Sequence, residues 1–259
     1  MIELQTYPSP SGLLAGRRAV VTAAAGTGIG FSTARRMVEE GASIVISDRH
    51  ERRLGEAADQ LRAFAEDGTE VHAVPCDVTD GAQVERLYAA ATGRLGGIDV
   101  VVNNAGLGHT SELVETSDAD WLRVLDVTLN GTFRCIRAAL PRMGEGGSII
   151  NVGSVTAHRA ERGQSAYAAA KAGVHALTRC AAVEAAAFGV RVNSVAPTLA
   201  IHAFIEKVAD AAHLDAMRAL QPQGRAAEPW EIANAIVFLA SDLSGYLTGE
   251  CISASSQKP

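Results

Sequence analysis

Short apolar runs rich in β-branched residues alternate with longer amphipathic stretches along most of the 259-residue chain, and this alternation constrains the fold more than any other feature. A strand that rejoins its sheet in parallel needs a crossover of a dozen or more residues, normally a helix. Repeated strand–helix alternation therefore builds a parallel sheet covered on both faces. The pattern predicts strands at 19–22, 43–47, 71–74, 100–103, 148–152, 191–195 and 251–253. Most are unbroken apolar runs, as strands buried on both faces must be. Helical periodicity falls between them, for example at 29–40, 80–94, 118–140, 166–187 and 229–240. No internal repeat, low-complexity tract or mid-chain linker interrupts the series. Residues 1–259 thus read as a single doubly wound α/β domain.

Only 198–223 breaks the rhythm, holding helical pattern where the next strand is due. A segment inserted after a strand's C-terminal end lies over the crevice where such sheets bind ligands, so this stretch is expected to be a substrate-covering lobe. A plain surface excursion is the other reading.

The net charge of −6 provides no broad positive field for nucleic acid or anionic lipid. The run Arg49, Arg52, Arg53 is the nearest approach to a basic patch, and a solvated helix start explains it equally well. Cys76, Cys135, Cys180 and Cys251 are far apart and show neither Cys-x-x-Cys nor Cys/His ligand spacing, so reduced, mostly buried thiols and no metal are expected. The first sixteen residues lack a basic segment followed by an apolar one, and no stretch approaches the ~18 apolar residues of a membrane span. A cytoplasmic protein with a small-molecule substrate is the expectation.

The first strand runs into Gly26-Thr27-Gly28-Ile29-Gly30 and then a helix. Glycines there let the backbone approach a diphosphate, and the helix N-terminus offers free N–H groups and positive dipole. Asp48 closes the second strand, where a carboxylate can accept ribose hydroxyls and repel the extra phosphate of NADP. Arg49 pulls the other way, since a guanidinium tolerates that phosphate. NAD is therefore favoured over NADP. Asp77-Val78 and Asn103-Asn104-Ala105-Gly106 follow the next two strands and line the same sheet edge.

Tyr167 and Lys171 stand four apart, on one helix face. A cation near a phenol lowers its pKa towards the range useful for proton transfer. Ser154, just past the strand at 148–152, can hydrogen-bond a substrate oxygen. No Gly-x-Ser-x-Gly elbow and no His-Glu-x-x-His occurs, which leaves hydrolase and metalloprotease readings without residues.

The set Thr22, Gly26 to Gly30, Asp77-Val78, Asn103-Asn104-Ala105-Gly106, Ser154, Tyr167-x-x-x-Lys171 and Arg191-Val192-Asn193-Ser194-Val195-Ala196-Pro197 resembles the short-chain dehydrogenase/reductase family over nearly the whole chain. The resemblance implies a Rossmann-type seven-stranded sheet with helices on both faces, usually in a homotetramer. It implies Tyr167 as catalytic acid/base, Lys171 as the group that lowers its pKa and binds the nicotinamide ribose, and Ser154 as the group polarising the carbonyl. Asn103, Ala105, Gly106 and Pro197 would border the cofactor.

Three departures stand out. Thr128 replaces the family's Asn whose backbone holds a relay water, while Asn130 faces elsewhere. Thr198 follows Pro197 in place of Gly, and His202 stands where a Thr often contacts the carboxamide, either as a nicotinamide or substrate contact or as a solvated residue. The usual Asp-Gly-Gly near the C-terminus is absent. With Ala23-Ala24-Ala25, these features resemble an actinobacterial branch that includes reductases of CoA thioesters of steroid-ring fragments. The expected substrate is thus a hydrophobic cyclic ketone or alcohol, with 3-oxoacyl-thioester reduction and a non-catalytic nucleotide sensor as alternatives. His158, Arg159, Arg162 and Leu199 flank the expected substrate space; solvation explains His158 and the two arginines equally well, and packing explains Leu199. Trp121 and Trp230 read as packing residues.

Overall fold

The computed structural model describes residues 6–159, 161–201 and 211–255. Seven strands form one all-parallel sheet in the order β3-β2-β1-β4-β5-β6-β7. They are β1 (Arg18–Thr22), β2 (Ser43–Asp48), β3 (Val71–Pro75), β4 (Ile98–Asn103), β5 (Met143–Val152), β6 (Arg191–Pro197) and β7 (Cys251–Ala254). The chain steps outward from β1 to β3, returns to β4 on the other side of β1, and continues outward to β7. The reversal between β1 and β4 opens a crevice at the C-terminal edge of the sheet.

Neighbouring residues on each strand point to opposite faces, and the core divides accordingly. Val21, Val102, Ile150 and Val195 pack with α1 (Ile29–Glu39), α2 (Glu51–Arg62) and α8 (Pro229–Ala240). Val20, Val101, Ile149 and Val192 pack with α3 (Gly81–Leu95), α5 (Gly131–Ala139) and α6 (Ser165–Ala185). Both faces are therefore dry, and each such side chain contributes roughly 1.5–3 kcal/mol of burial.

Two elements differ from the sequence expectation. The periodic stretch 118–140 divides into α4 (Asp118–Leu125), a five-residue π turn (Asp126–Asn130) and α5. Apolar periodicity runs through the π turn, so the extra backbone residue leaves no mark in the sequence. β5 begins at Met143, where Met143 pairs with Ile98 across a register shift ahead of Val100. Its glycine-rich opening has too few side chains to signal a strand.

At the N-terminal edge of the sheet Arg18 grips Asp99 with two side-chain bonds, 2.8 Å from Nε and 2.7 Å from Nη2, and its backbone N–H donates to the same carboxylate at 2.9 Å. Burial favours the neutral acid, but these bonds outweigh it and hold Asp99 below the usual carboxylate range. On one flank Glu40 is fully buried, pairs with Arg36 and accepts the N–H groups of Ser11 and Leu13 at 3.0 Å each, tying the lead-in to α1. Trp230 packs on Tyr7 at 5.4 Å between ring centroids, and Trp121 joins the small cluster around Val124 and Ala170.

The irregular stretch after β6 contains α7 (Ala211–Ala219), and Ala200 bridges to Ala227 while the Ala227 N–H donates to Leu199 O at 2.9 Å. His202 lies outside the described residues. Among the described helices none is long and apolar enough to cross a membrane.

Candidate active site

The C-terminal edge is knitted together by one hydroxyl. Thr22, the last residue of β1, accepts the N–H groups of Asn104 at 3.0 Å and Ala105 at 3.2 Å through Oγ1. Asn104 returns bonds from Nδ2 to Thr22 O at 3.2 Å and Ala23 O at 3.0 Å. A Cβ on Gly30 would stand 2.4 Å from that Nδ2 and 2.5 Å from Ala23 O, so only glycine lets α1 start this close to the β4 end. Ala23 accommodates the turn at a φ of 52°, an uncommon conformation for a residue other than glycine.

The first turn of α1 lies open. Gly26 and Thr27 are exposed, Gly28 and Ile29 partly so, and Gly28 at the N-cap offers no side chain to its N–H groups. Asp48 ends β2 half-buried, accepting the His50 N–H at 3.0 Å, and Arg49 beside it is exposed. Asp77 accepts from Thr79 N and Oγ1 at 2.9 and 2.8 Å, while Val78 is buried against Gly131. Asn103 turns inward, donating to Asn151 Oδ1 at 2.8 Å, and Asn151 in turn donates to Thr178 Oγ1 at 2.9 Å. Its side chain thus braces β4 against β5 and α6, leaving Ala105 and Gly106 on the crevice side. Pro197 closes β6 opposite Ala254.

A dinucleotide fits these residues. The uncapped helix start can take phosphate, the β2 carboxylate can take a ribose, and Gly106 keeps space clear where a Cβ would lie 3.3 Å from Lys171 Nζ.

Ser154, Tyr167 and Lys171 converge beside that space. Ser154 Oγ accepts the Thr156 N–H at 3.1 Å and is hydrogen-bonded to the Tyr167 hydroxyl. Lys171 is buried, donates from Nζ to Val152 O at 2.6 Å and lies 5.6 Å from the Tyr167 ring centroid. Burial lowers the Lys171 ammonium to about 8. Tyr167 differs from expectation: burial raises its pKa, the Ser154 hydrogen bond opposes that, and the negative charge of Glu161 adds to it. Loss of solvent around the phenol dominates in the free protein.

Thr128 is buried in the π turn, where its hydroxyl accepts the Leu107 N–H at 3.0 Å, fastening the loop after Gly106. Its carbonyl accepts the Thr132 hydroxyl at 2.8 Å. Asn130 is exposed and donates to Asp126 at 3.1 Å, away from the crevice. Arg162 pairs with Glu112 at 2.6 Å. His158 is exposed but stacks on His175, one turn beyond Lys171 on α6, at 4.8 Å between ring centroids. His175 was not singled out in the sequence, although its i+4 spacing from Lys171 places it on the same helix face. Burial lowers its pKa to about 4, helped by the positive neighbours His158, Lys171 and Arg179.

An open-edged seven-stranded parallel sheet with a serine, tyrosine and lysine at its C-terminal edge defines a nicotinamide-dependent oxidoreductase. Residues 23–256 match the family model described as enoyl-(acyl carrier protein) reductase, and the chain belongs to the short-chain dehydrogenase/reductase family. It is 56% identical over 96% of its length, and 95% of the relative's, to a (5R,7aS)-5-hydroxy-7a-methyl-1-oxo-2,3,5,6,7,7a-hexahydro-1H-indene-carboxyl-CoA reductase of Mycobacterium tuberculosis (strain ATCC 25618 / H37Rv). It is 43% identical, over 90% of this chain and 92% of the relative, to a cis-4-hydroxycyclohexanecarboxylate dehydrogenase of Sinomonas cyclohexanicum. A crystal structure of a short chain dehydrogenase from Mycobacterium smegmatis superposes with a TM-score of 0.87 at 50% identity, covering 99% of both chains.

Proposed function

We propose that the protein is an NAD(H)-dependent oxidoreductase that interconverts a secondary alcohol and a ketone on a hydrophobic ring system carried as a CoA thioester. The observation that carries this reading is the 56% identity over 251 residues with a reductase whose name is that of a fused-ring CoA thioester. A ring-hydroxyl dehydrogenase at 43% identity supports the same substrate shape.

The nicotinamide ring, when bound, gives or takes the hydride. Tyr167 holds the proton that passes to or from the substrate oxygen, and the Ser154 hydroxyl fixes the position of that oxygen. Lys171 places positive charge beside the phenol, which favours phenolate when a proton must leave. Its other role is to hold the ribose. Asp48 accepts the adenosine ribose hydroxyls and disfavours a 2′-phosphate. Gly26 to Gly30 receive the diphosphate, with Asp77, Val78, Ala105, Gly106 and Pro197 bordering the rest, while Asn103 holds the β4 end in place from within. Of the residues assigned to the substrate side, Leu199 and His202 belong to the segment 198–223, the proposed substrate-covering lobe, and His158 to the turn after Ser154. The assembly is a cytoplasmic homotetramer. Leu122, Phe133 and Val183, exposed on α4, α5 and α6, support its interfaces.

Comparing kcat/KM for a fused-ring ketone CoA thioester with that for a linear 3-oxoacyl-CoA tests the substrate. The ring compound should win. A tenfold preference for the linear compound, about 1.4 kcal/mol of transition-state binding, would overturn the reading in favour of 3-oxoacyl-thioester reduction. In the same assay NAD(H) should outperform NADP(H), with Asp48→Ala narrowing the gap. A wild-type preference for NADP(H) would hand control of that site to Arg49.

A further inference from the structure

Three side chains that are far apart in sequence meet behind the catalytic serine. His158 comes from the turn after Ser154, His175 from α6 and Cys251 from the start of β7. Cys251 Sγ lies 3.5 Å from His175 Nε2 and 4.0 Å from His158 Nε2. One donor atom from each residue falls within 4.8 Å of the other two. We propose that His158, His175 and Cys251 form a binding site for a thiophilic transition-metal ion such as Zn2+.

The spacing suits that ion. Zinc takes thiolate sulfur at about 2.3 Å and imidazole nitrogen at about 2.0–2.1 Å, which in a tetrahedron sets sulfur and nitrogen about 3.5 Å apart. The Cys251–His175 pair already has this separation. His158 must close on the sulfur by about half an ångström and draw nearer His175 as it turns its ring out of the stack, which an exposed side chain on a short turn can do. Three protein ligands leave a fourth position for water on the exposed His158 side.

The surroundings favour a site over a packing accident. Gly153 presents backbone where a Cβ would stand 2.1 Å from His175 Nε2, so a side chain there would displace the donor nitrogen. His175 Nδ1 is buried with no hydrogen-bond partner among the described residues, which leaves Nε2, the nitrogen facing Cys251, as the ring's bonding atom. Lys171 and Arg179 act electrostatically on His175, while Cys251 lies in the opposing fields of Arg179 and Glu250. Positive neighbours disfavour hard cations, which bind oxygen and depend on net negative charge. Only an ion that bonds strongly to thiolate and imidazole overcomes them. Occupation would clamp Gly153, and with it the backbone entering Ser154.

The experiment titrates metal-free full-length protein with Co2+, followed by displacement with Zn2+. Wild type should take one Co2+ per chain with a thiolate-to-cobalt charge-transfer band in the near ultraviolet, and Zn2+ should abolish that band. Cys251→Ser should lose the band, and His158→Ala should weaken Zn2+ binding at least tenfold, about 1.4 kcal/mol, with an unchanged circular dichroism spectrum. Cys180→Ser, which removes the exposed thiol, should behave as wild type. The proposal is overturned if wild type shows no such band, if Cys180→Ser removes it, or if His158→Ala binds Zn2+ as tightly as wild type. Each of these leaves a hydrogen-bonded Cys–His group and no metal site.

Discussion

Tyr167 and Lys171 lie one helical turn apart, and burial acts on both against ionisation: it raises the phenol and lowers the ammonium to about 8. On the proposed chemistry, the proton needed at the substrate oxygen is therefore held firmly at Tyr167 in the free protein. Tyr167→Phe keeps the ring and its packing but removes that proton, so kcat should fall by roughly 10²-fold or more, with the dissociation constant for NADH nearly unchanged. Retention of a tenth of the wild-type rate would remove Tyr167 from the chemistry.

Lys171 makes a separate prediction about stability. Burial brings it to about 8 in the folded protein against the ordinary 10.5 of an exposed lysine, so between those limits the unfolded chain binds more protons and stability rises with pH. Relative to Lys171→Met, the free wild-type protein should gain about 3 kcal/mol between pH 7 and pH 10.5. Denaturant midpoints of both proteins at the two pH values check this, and parallel shifts would contradict it.

At the scale of elements, the junction of β1, α1 and β4 depends on the absence of one carbon. Gly30→Ala would push against Asn104 and the Ala23 carbonyl, where there is no slack. Overpacking of this kind costs about 1–3 kcal/mol. The cost should show as a lower melting temperature together with weaker NADH binding, because the displaced loop carries Ala105 and Gly106. A loss of stability with unaltered binding would place the strain elsewhere.

The strands were legible because burial on both faces demands apolar runs, and all seven are present close to the expected limits, except that β5 starts five residues early in a glycine-rich stretch. The Gly26 to Gly30 turn, Ser154, Tyr167 and Lys171 were legible because each occupies a strand end or a fixed helical spacing. The π turn was not, since an inserted backbone residue leaves the apolar pattern intact. Neither was the inward orientation of Asn103, which depends on Asn151 and Thr178 approaching from other elements. The grouping of His158 and His175 with Cys251 was likewise hidden, because only the sheet order brings β7 to α6. Of the thiols, Cys76 and Cys135 are buried as expected, whereas Cys180 is exposed.

For the whole molecule, Leu122, Phe133 and Val183 stand in solvent on the helices outside the sheet. In the proposed tetramer they would be covered. Light scattering after size exclusion should give the mass of four chains, and Phe133→Glu with Val183→Glu should reduce it without altering the circular dichroism spectrum. A monomeric wild type would refute the assembly.

The grip of Arg18 on Asp99 lies at the end of β1 and β4 opposite to Thr22 and Asn103. Anchoring and chemistry are thus separated by the length of a strand. If the proposed site is correct, variation in the segments that follow Pro197 and Gly106 in the sequence would redirect which alcohol or ketone is accepted while leaving the anchoring end untouched. Conversely, strengthening that end gives a reserve of stability against which riskier changes at the crevice can be tolerated. The scaffold has, in effect, one end that can be held constant and another that is free to diversify.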